Sequence, residues 1–250
     1  MPQPFIADAI VRTARRLPAY PQLEVLDLSC GRGELLSRLA QDGCTVRGSH
    51  YRPDDYKLAG DEPLFTAGIT IDTGIDLMRQ LPYQSDSWDV VLLSEVVEHL
   101  PNWMPVVREA ARVLRPGGHM LLSTPNIHRL HSRLQFFLTG THKLIRRRVG
   151  WDLAPDDLYA YHINPVDFTL LHTVLHQAQL SVQSLGFTRF KIQHAWLLLL
   201  YPLSAALIWL ELRKEIANDA QRRGARDLRR WMLHPAMLAS EQLLVVARKS

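Results

Sequence analysis

The segment Val25-Leu-Asp-Leu-Ser-Cys-Gly-Arg-Gly33 holds the residues best suited to ligand chemistry. Gly31 and Gly33 let the backbone approach a ligand closely, and a helix starting after them offers free N–H groups. A dinucleotide fingerprint would need a third glycine where Leu36 stands, which disfavours a nicotinamide cofactor. Asp27 would repel a pyrophosphate. It suits a cationic ligand, one carrying an ammonium or sulfonium group. His128 and His131, and likewise His172 and His176, are spaced to share a helix face, but no carboxylate or cysteine joins either pair at ligand spacing. No metal site is expected from them. Cys30 and Cys44 are too few for a disulfide framework or a four-cysteine zinc site and read as small buried hydrophobes.

These residues need a scaffold, and the pattern supplies one. Leu23 to Leu28 is a short apolar run that reads as a buried strand, followed by a helix over Glu34 to Ala40 and a strand over Thr45 to Ser49. From Arg52 to Gly74 the prolines and glycines leave room for a shortened helix and a brief strand near Thr66 to Ile71. Trp88 to Leu93 is an apolar strand. Met104 to Leu114 is a helix stopped by Arg115-Pro-Gly-Gly118, and His119 to Ser123 is the next strand. A basic helix and loop fill Ile127 to Gly150, and Val166 to Gln179 forms a helix. Leu180 to Phe187 and Gln242 to Ala247 are strands. An amphipathic helix, Phe5 to Leu17, precedes them all. Strands alternating with helices argue for an α/β fold with a mostly parallel sheet covered on both faces.

Five ordered motifs resemble the class I S-adenosylmethionine-dependent methyltransferases. They are Asp27-Leu-Ser-Cys-Gly-Arg-Gly33, Leu81-Pro-Tyr-Gln-Ser-Asp-Ser-Trp-Asp89, Ser94-Glu-Val-Val-Glu-His-Leu100, Ala111-Arg-Val-Leu-Arg-Pro-Gly-Gly118 and Leu122-Ser-Thr-Pro-Asn126. The likeness is good from about Leu23 to Asn126 and loose beyond. It implies a Rossmann-like seven-stranded sheet, S-adenosyl-L-methionine as cofactor, and a small-molecule subgroup marked by the SEVVEHL and STPN segments. It implies that Asp27 lies beneath the methionine end of the cofactor and that Gly31 and Gly33 give it room, with Ser29 and Cys30 alongside. His50 stands where the family usually has an acid that accepts hydrogen bonds from both ribose hydroxyls. A neutral imidazole accepts only one. On that alignment a carboxylate at position 50 would tighten cofactor binding, with Asp54 or Asp55 the substitutes in the native chain. Tyr51 follows His50. Asp76 corresponds to the residue that meets the adenine amino group, with Leu77 against the ring. A helix N-cap is the alternative for Asp76. Ser94 and Glu95 complete the expected cofactor set.

Methyl transfer from a sulfonium is an in-line displacement that needs alignment and exclusion of water, and a base when the acceptor is a sugar hydroxyl. His99, at the carboxyl edge of the sheet, and His162, before the helix that closes over the pocket, are the candidate bases. Structural loop roles compete for both, and Glu98 is read as orienting His99. O-methylation of a sugar or lipid-linked glycan is the first expectation. Methylation of a quinone-type ring is the second, and a non-catalytic cofactor-binding or partner-binding protein the third.

The chain has 250 residues, 47% hydrophobic and 22% charged, with net charge +4. That excludes disorder as the main state and fits one domain: a core of 1–190 and 241–250 with a 191–240 helical insertion before the last strand. No face combines aromatic and basic residues in the way that stacks bases, so no nucleic-acid partner is expected. Two cysteines and no apolar leader in the first 16 residues suggest a reducing, cytoplasmic setting. Ala195 to Leu210 is 16 residues without a charge, and Glu211 to Arg230 carries seven Lys or Arg against four Asp or Glu. This reads as peripheral contact with the inner face of a membrane, with Lys143 to Arg148 adding charge, or as a buried hairpin or homodimer contact. Pro202 argues against crossing the bilayer.

Overall fold

The computed structural model describes residues 4–52, 68–142, 162–214, 216 and 218–250. Its strands are β1 (Glu24–Leu28), β2 (Thr45–Ser49), β3 (Thr70–Asp72), β4 (Trp88–Ser94), β5 (Leu114–Pro125), β6 (Leu180–Gly186) and β7 (Gln242–Lys249). They form one seven-stranded sheet in the order β3-β2-β1-β4-β5-β7-β6. The pairs from β3 to β5 are parallel, and β7 runs antiparallel to both β5 and β6. The mostly parallel α/β sheet expected from the pattern is therefore present.

Both faces of the sheet are buried, which is why its central strands are continuous apolar runs. In β4, Val90 and Leu92 face one layer, while Val91 and Leu93 face the other. Helices α1 (Pro4–Ala14) and α2 (Glu34–Gln41) cover the first face through Ile6, Ile10, Leu35 and Leu39. Helices α3 (Met104–Val113) and α5 (Phe168–Gln177) cover the second through Val106, Val107, Ala110, Phe168 and Leu171. Helix α4 (Leu130–Thr139) follows β5. Between β6 and β7 lie a 3₁₀ helix (Ile192–Leu200), α6 (Tyr201–Glu211), α7 (Asp219–Met232) and α8 (Pro235–Ala239).

The boundaries of β5 and α5 differ from the sequence reading, and that of α4 was left open by it. β5 begins at Leu114, not His119, and takes in Arg115-Pro-Gly-Gly118 as an irregular stretch; its pairing with β4 jumps from Trp88↔Leu114 to Val90↔His119. Gly118 makes this possible, because a Cβ there would sit 2.9 Å from the Arg115 carbonyl oxygen and 3.0 Å from that of Asp89. Helix α4 stops at Gly140, whose φ of 68° is the left-handed C-cap conformation. Helix α5 starts at Phe168, where Asp167 caps it by accepting from the Leu170 amide. The expected helix within 53–67, the carboxylates Asp54 and Asp55, and the basic run 143–148 lie outside the described residues.

The chain runs from β1 outward through β2 to β3, then returns to β4 on the other side of β1. Such a reversal opens a crevice at the carboxyl ends of the two central strands, where open α/β sheets bind ligands. Both chemistry-bearing motifs, at β1 and β4, end at this crevice.

Candidate active site

At the carboxyl end of β1 and β4, Asp27, Ser29, Cys30, Arg32, Glu34, Leu35 and Ser94 line an open cleft of about 290 Å³. Asp27 is 1% exposed, and its Oδ1 has no hydrogen-bond partner among the described residues. Burial pushes its carboxyl up to about 7. A buried acid oxygen left without a partner is costly unless a ligand supplies one. The turn after it is built from left-handed residues: Ser29 at φ 68°, Gly31 at 54° and Gly33 at 80°, the last being the N-cap of α2. Glu95, just past β4, is another non-glycine residue in this region, at φ 55°. Two strained side-chain-bearing positions thus bracket the crevice.

His50 directly follows β2 and is 2% exposed. Its Nε2 lies 2.7 Å from the Gly31 carbonyl oxygen, so this nitrogen carries the proton and donates to the turn. The Cys30 sulfur is 3.3 Å away from the same atom. Burial pushes that Cys30 thiol far up. The Nε2 side of the imidazole thus braces the glycine turn. With that bond in place, a carboxylate at position 50 has a cost that the alignment alone does not show. His50→Asp puts an acceptor toward an acceptor and is expected to weaken cofactor affinity by about tenfold, as for one lost hydrogen bond. His50→Gln, whose amide can still donate, is expected to stay within about threefold. Calorimetric titration of the two variants checks this.

Of the other expected residues, Tyr51 is exposed beside His50. Asp76 accepts from the Met78 amide at 2.9 Å and pairs with Arg79 at 3.2 Å, bracing a turn; no helix starts there, so it is not the helix N-cap weighed for it. Leu77 is buried in the main core.

The β4 end carries a second cluster. A 3₁₀ turn over Val97–His99 presents Glu98 and His99, and the loop holding His162 is tied to it where the Asn164 amide donates to the Glu98 carbonyl. The rings of His99 and His162 stand edge to face, 4.8 Å apart. One ligating atom from each of Glu98, His99 and His162 lies within 4.8 Å of the others. Glu98 is fully buried. Burial first, then the charge of Glu95, push its carboxyl well above the usual range. A positive group beside it would be favoured, either a protonated imidazole or a divalent cation.

The sequence reading looked for metal ligands within single helices. It missed this set because His162 is remote in the chain from Glu98 and His99. It also missed what the STPN segment does. Ser123 Oγ donates to Glu95 at 2.9 Å, Thr124 Oγ1 donates to Glu98 at 3.0 Å, and the Asn126 amide donates to the carbonyls of Ala236, Met237 and Ser240 on and after α8. The signal was present as hydroxyl donors at the end of one strand and acids following its neighbour.

A family model described as a methyltransferase domain matches residues 3–185. The ubiquinone biosynthesis O-methyltransferase of Vibrio parahaemolyticus is 33% identical over 131 residues, 49% of this chain and 52% of that protein. Methyltransferase GfsG of Streptomyces halstedii is 32% identical over 133 residues, 49% of this chain and 48% of that protein. The chain thus spans about half the length of the curated relatives it matches. Among solved structures, a SAM-dependent methyltransferase from Archaeoglobus fulgidus superposes with TM-score 0.56 at 17% identity, covering 98% of this chain and 93% of that one. The [4+2]-cyclase SpnF superposes with TM-score 0.52 at 18% identity, covering 97% and 80%. The second name is a reminder that this fold hosts more than one chemistry. With the matched residues, the parallel sheet and the β1–β4 crevice in agreement, the chain belongs to the methyltransferase-domain family of class I, S-adenosylmethionine-dependent type.

Proposed function

We propose that this protein transfers a methyl group from S-adenosyl-L-methionine to a hydroxyl oxygen of a small, lipid-soluble or lipid-linked acceptor. The observation that carries the reading is the buried Asp27 Oδ1, which has no partner among the described residues, at the mouth of a glycine turn. It fits a ligand that brings its own cationic hydrogen-bond donor. Asp27, Ser29, Cys30, Gly31 and Gly33 would hold the cofactor's methionine end, with Ser94 and Glu95 on the β4 side. Tyr51, Asp76 and Leu77 would meet the adenosine end. The cofactor supplies an electrophilic methyl on a sulfonium.

The chain's own task is to align the acceptor oxygen and accept its proton. His99 and His162 are the groups we assign to that proton, with Glu98 stabilising positive charge beside them. The relatives named for ubiquinone biosynthesis O-methylation favour a phenolic ring hydroxyl over the sugar hydroxyl ranked first from sequence. A glycan acceptor remains the alternative acceptor class, and a cofactor-binding protein without transfer is the alternative to both.

A second reading of the proton step is favoured by the convergence of Glu98, His99 and His162: a divalent cation held there would acidify the acceptor hydroxyl. His99→Ala is expected to lower kcat by about 10²–10⁴ with little change in cofactor affinity. Steady-state transfer to a catechol-type acceptor, before and after chelation and re-addition of magnesium, manganese or zinc, separates the readings. Activity that survives chelation leaves the histidines as the base. Activity lost and restored by one cation gives them to the metal.

A further inference from the structure

The 191–240 segment lies outside the residues matched by the family model. Helix α6 is apolar around its whole circumference and has no buried residue. Leu199 is 82% exposed, and Phe137, on the neighbouring α4, is 83% exposed. Trp196, Leu203 and Leu207 are exposed as well. A helix apolar on every side is expected to sit in protein or in hydrocarbon, and among the described residues nothing covers these side chains.

Two charge features accompany the apolar surface. Helix α7, packed on α6 and α8, exposes Arg222, Arg223, Arg226 and Arg230. At the foot of the segment, a cleft of about 310 Å³ is lined by Arg129, His131, Lys191 and His194, with Leu197 and Leu238 as its apolar wall. Arg129 Nε is buried there with no hydrogen-bond partner among the described residues. Lys191 is paired with Glu241 at 2.9 Å, and Arg189 shares the same carboxylate, so one acid faces three cations.

We propose that this segment is a docking surface for an anionic lipid bilayer. The apolar 3₁₀ helix and α6 enter the acyl boundary, the α7 arginines meet the headgroup layer, and the Arg129–Lys191 cleft seats a lipid phosphate. By length and composition alone, Ile192–Glu211 could cross a membrane. Leu197, however, is 2% exposed, in a cluster with Leu130 and Leu238, which fastens the segment to the domain and favours lying in one leaflet. A second copy is the competing occupant. A two-fold contact would set the arginine-rich α7 near its own image, which repels, whereas an anionic surface complements it. The proposal is independent of which acceptor the cleft at β1 and β4 takes.

Flotation of the intact protein with phosphatidylcholine vesicles, with and without phosphatidylglycerol, tests it. Binding is expected with phosphatidylglycerol at low salt and weakens as salt rises. The double variant Phe137→Glu, Leu199→Glu is expected to lose at least about tenfold in vesicle affinity. Its melting temperature and S-adenosylmethionine affinity should be unchanged, because both side chains face solvent. Arg222→Glu with Arg226→Glu should weaken binding and flatten its salt dependence. Three outcomes overturn the proposal: no flotation at low salt, equal flotation of the Phe137/Leu199 variant, or a lipid-free dimer that the same variant dissociates.

Discussion

Asp27→Asn is expected to stabilise the ligand-free protein and at the same time abolish tight cofactor binding. The carboxyl is fully buried, and burial raises it from 3.8 to about 7. Its folded-state pKa therefore lies above its unfolded one, so the folded protein holds a proton that the unfolded chain releases. The sign follows: stability is highest below about pH 4, falls as pH rises through the interval up to about pH 7, and is level above it. The full loss for a shift of this size is up to about 4 kcal/mol. Asn removes the titration and keeps the shape, although its amide is still partly unsatisfied. Thermal melts at about pH 8 should show Asp27→Asn more stable by about 1–4 kcal/mol, or roughly 2–4 °C for each kcal/mol in a chain of this size. At pH 4 the gap should close. Glu98 is also raised, so the wild-type slope is shared. The difference between wild type and Asp27→Asn isolates Asp27. A variant less stable than wild type at both pH values would mean that the carboxylate already has a partner in the free protein.

Gly31→Val is expected to cost at least about a hundredfold in cofactor affinity while leaving the sheet formed. Gly31 sits at φ 54°, and its carbonyl accepts the His50 hydrogen bond. A side-chain-bearing residue in that region costs about 1–2 kcal/mol, and a β-branched one fits worst. The melting temperature should drop by only about 2–8 °C, because the turn lies outside the two cores. A folded variant with wild-type affinity would remove the turn from the binding site.

The central strands of the sheet were legible in the sequence because burial on both faces writes a continuous apolar run. β2 was bounded correctly over Thr45–Ser49, and β1 and β4 were each within one residue of their reading. The turn at Gly31 was legible for a different reason: few residues other than glycine tolerate its angles. The β5 start was not, since Arg-Pro-Gly-Gly reads locally as a stop. Pairing with β4 across a register jump overrides that local preference. His50 shows the limit of alignment by position. The residue is where the motif order put it, yet its hydrogen bond to Gly31 gives the imidazole a task that spacing does not encode. The Glu98–His99–His162 cluster needed the tertiary fold, because no local period links its members. The exposure of α6 likewise could not be read from an apolar run, which fits a buried helix equally well.

Whether the Asp27 cleft is a methyl-donor site is decided most directly by calorimetric titration of S-adenosylmethionine into the wild-type protein and Asp27→Asn at about pH 8. One-to-one binding in the micromolar range is predicted for wild type, weakened at least about a hundredfold in the variant, as expected when a buried charge-assisted contact is removed. No binding by the folded wild-type protein up to millimolar cofactor, or equal binding by the two proteins, would contradict it.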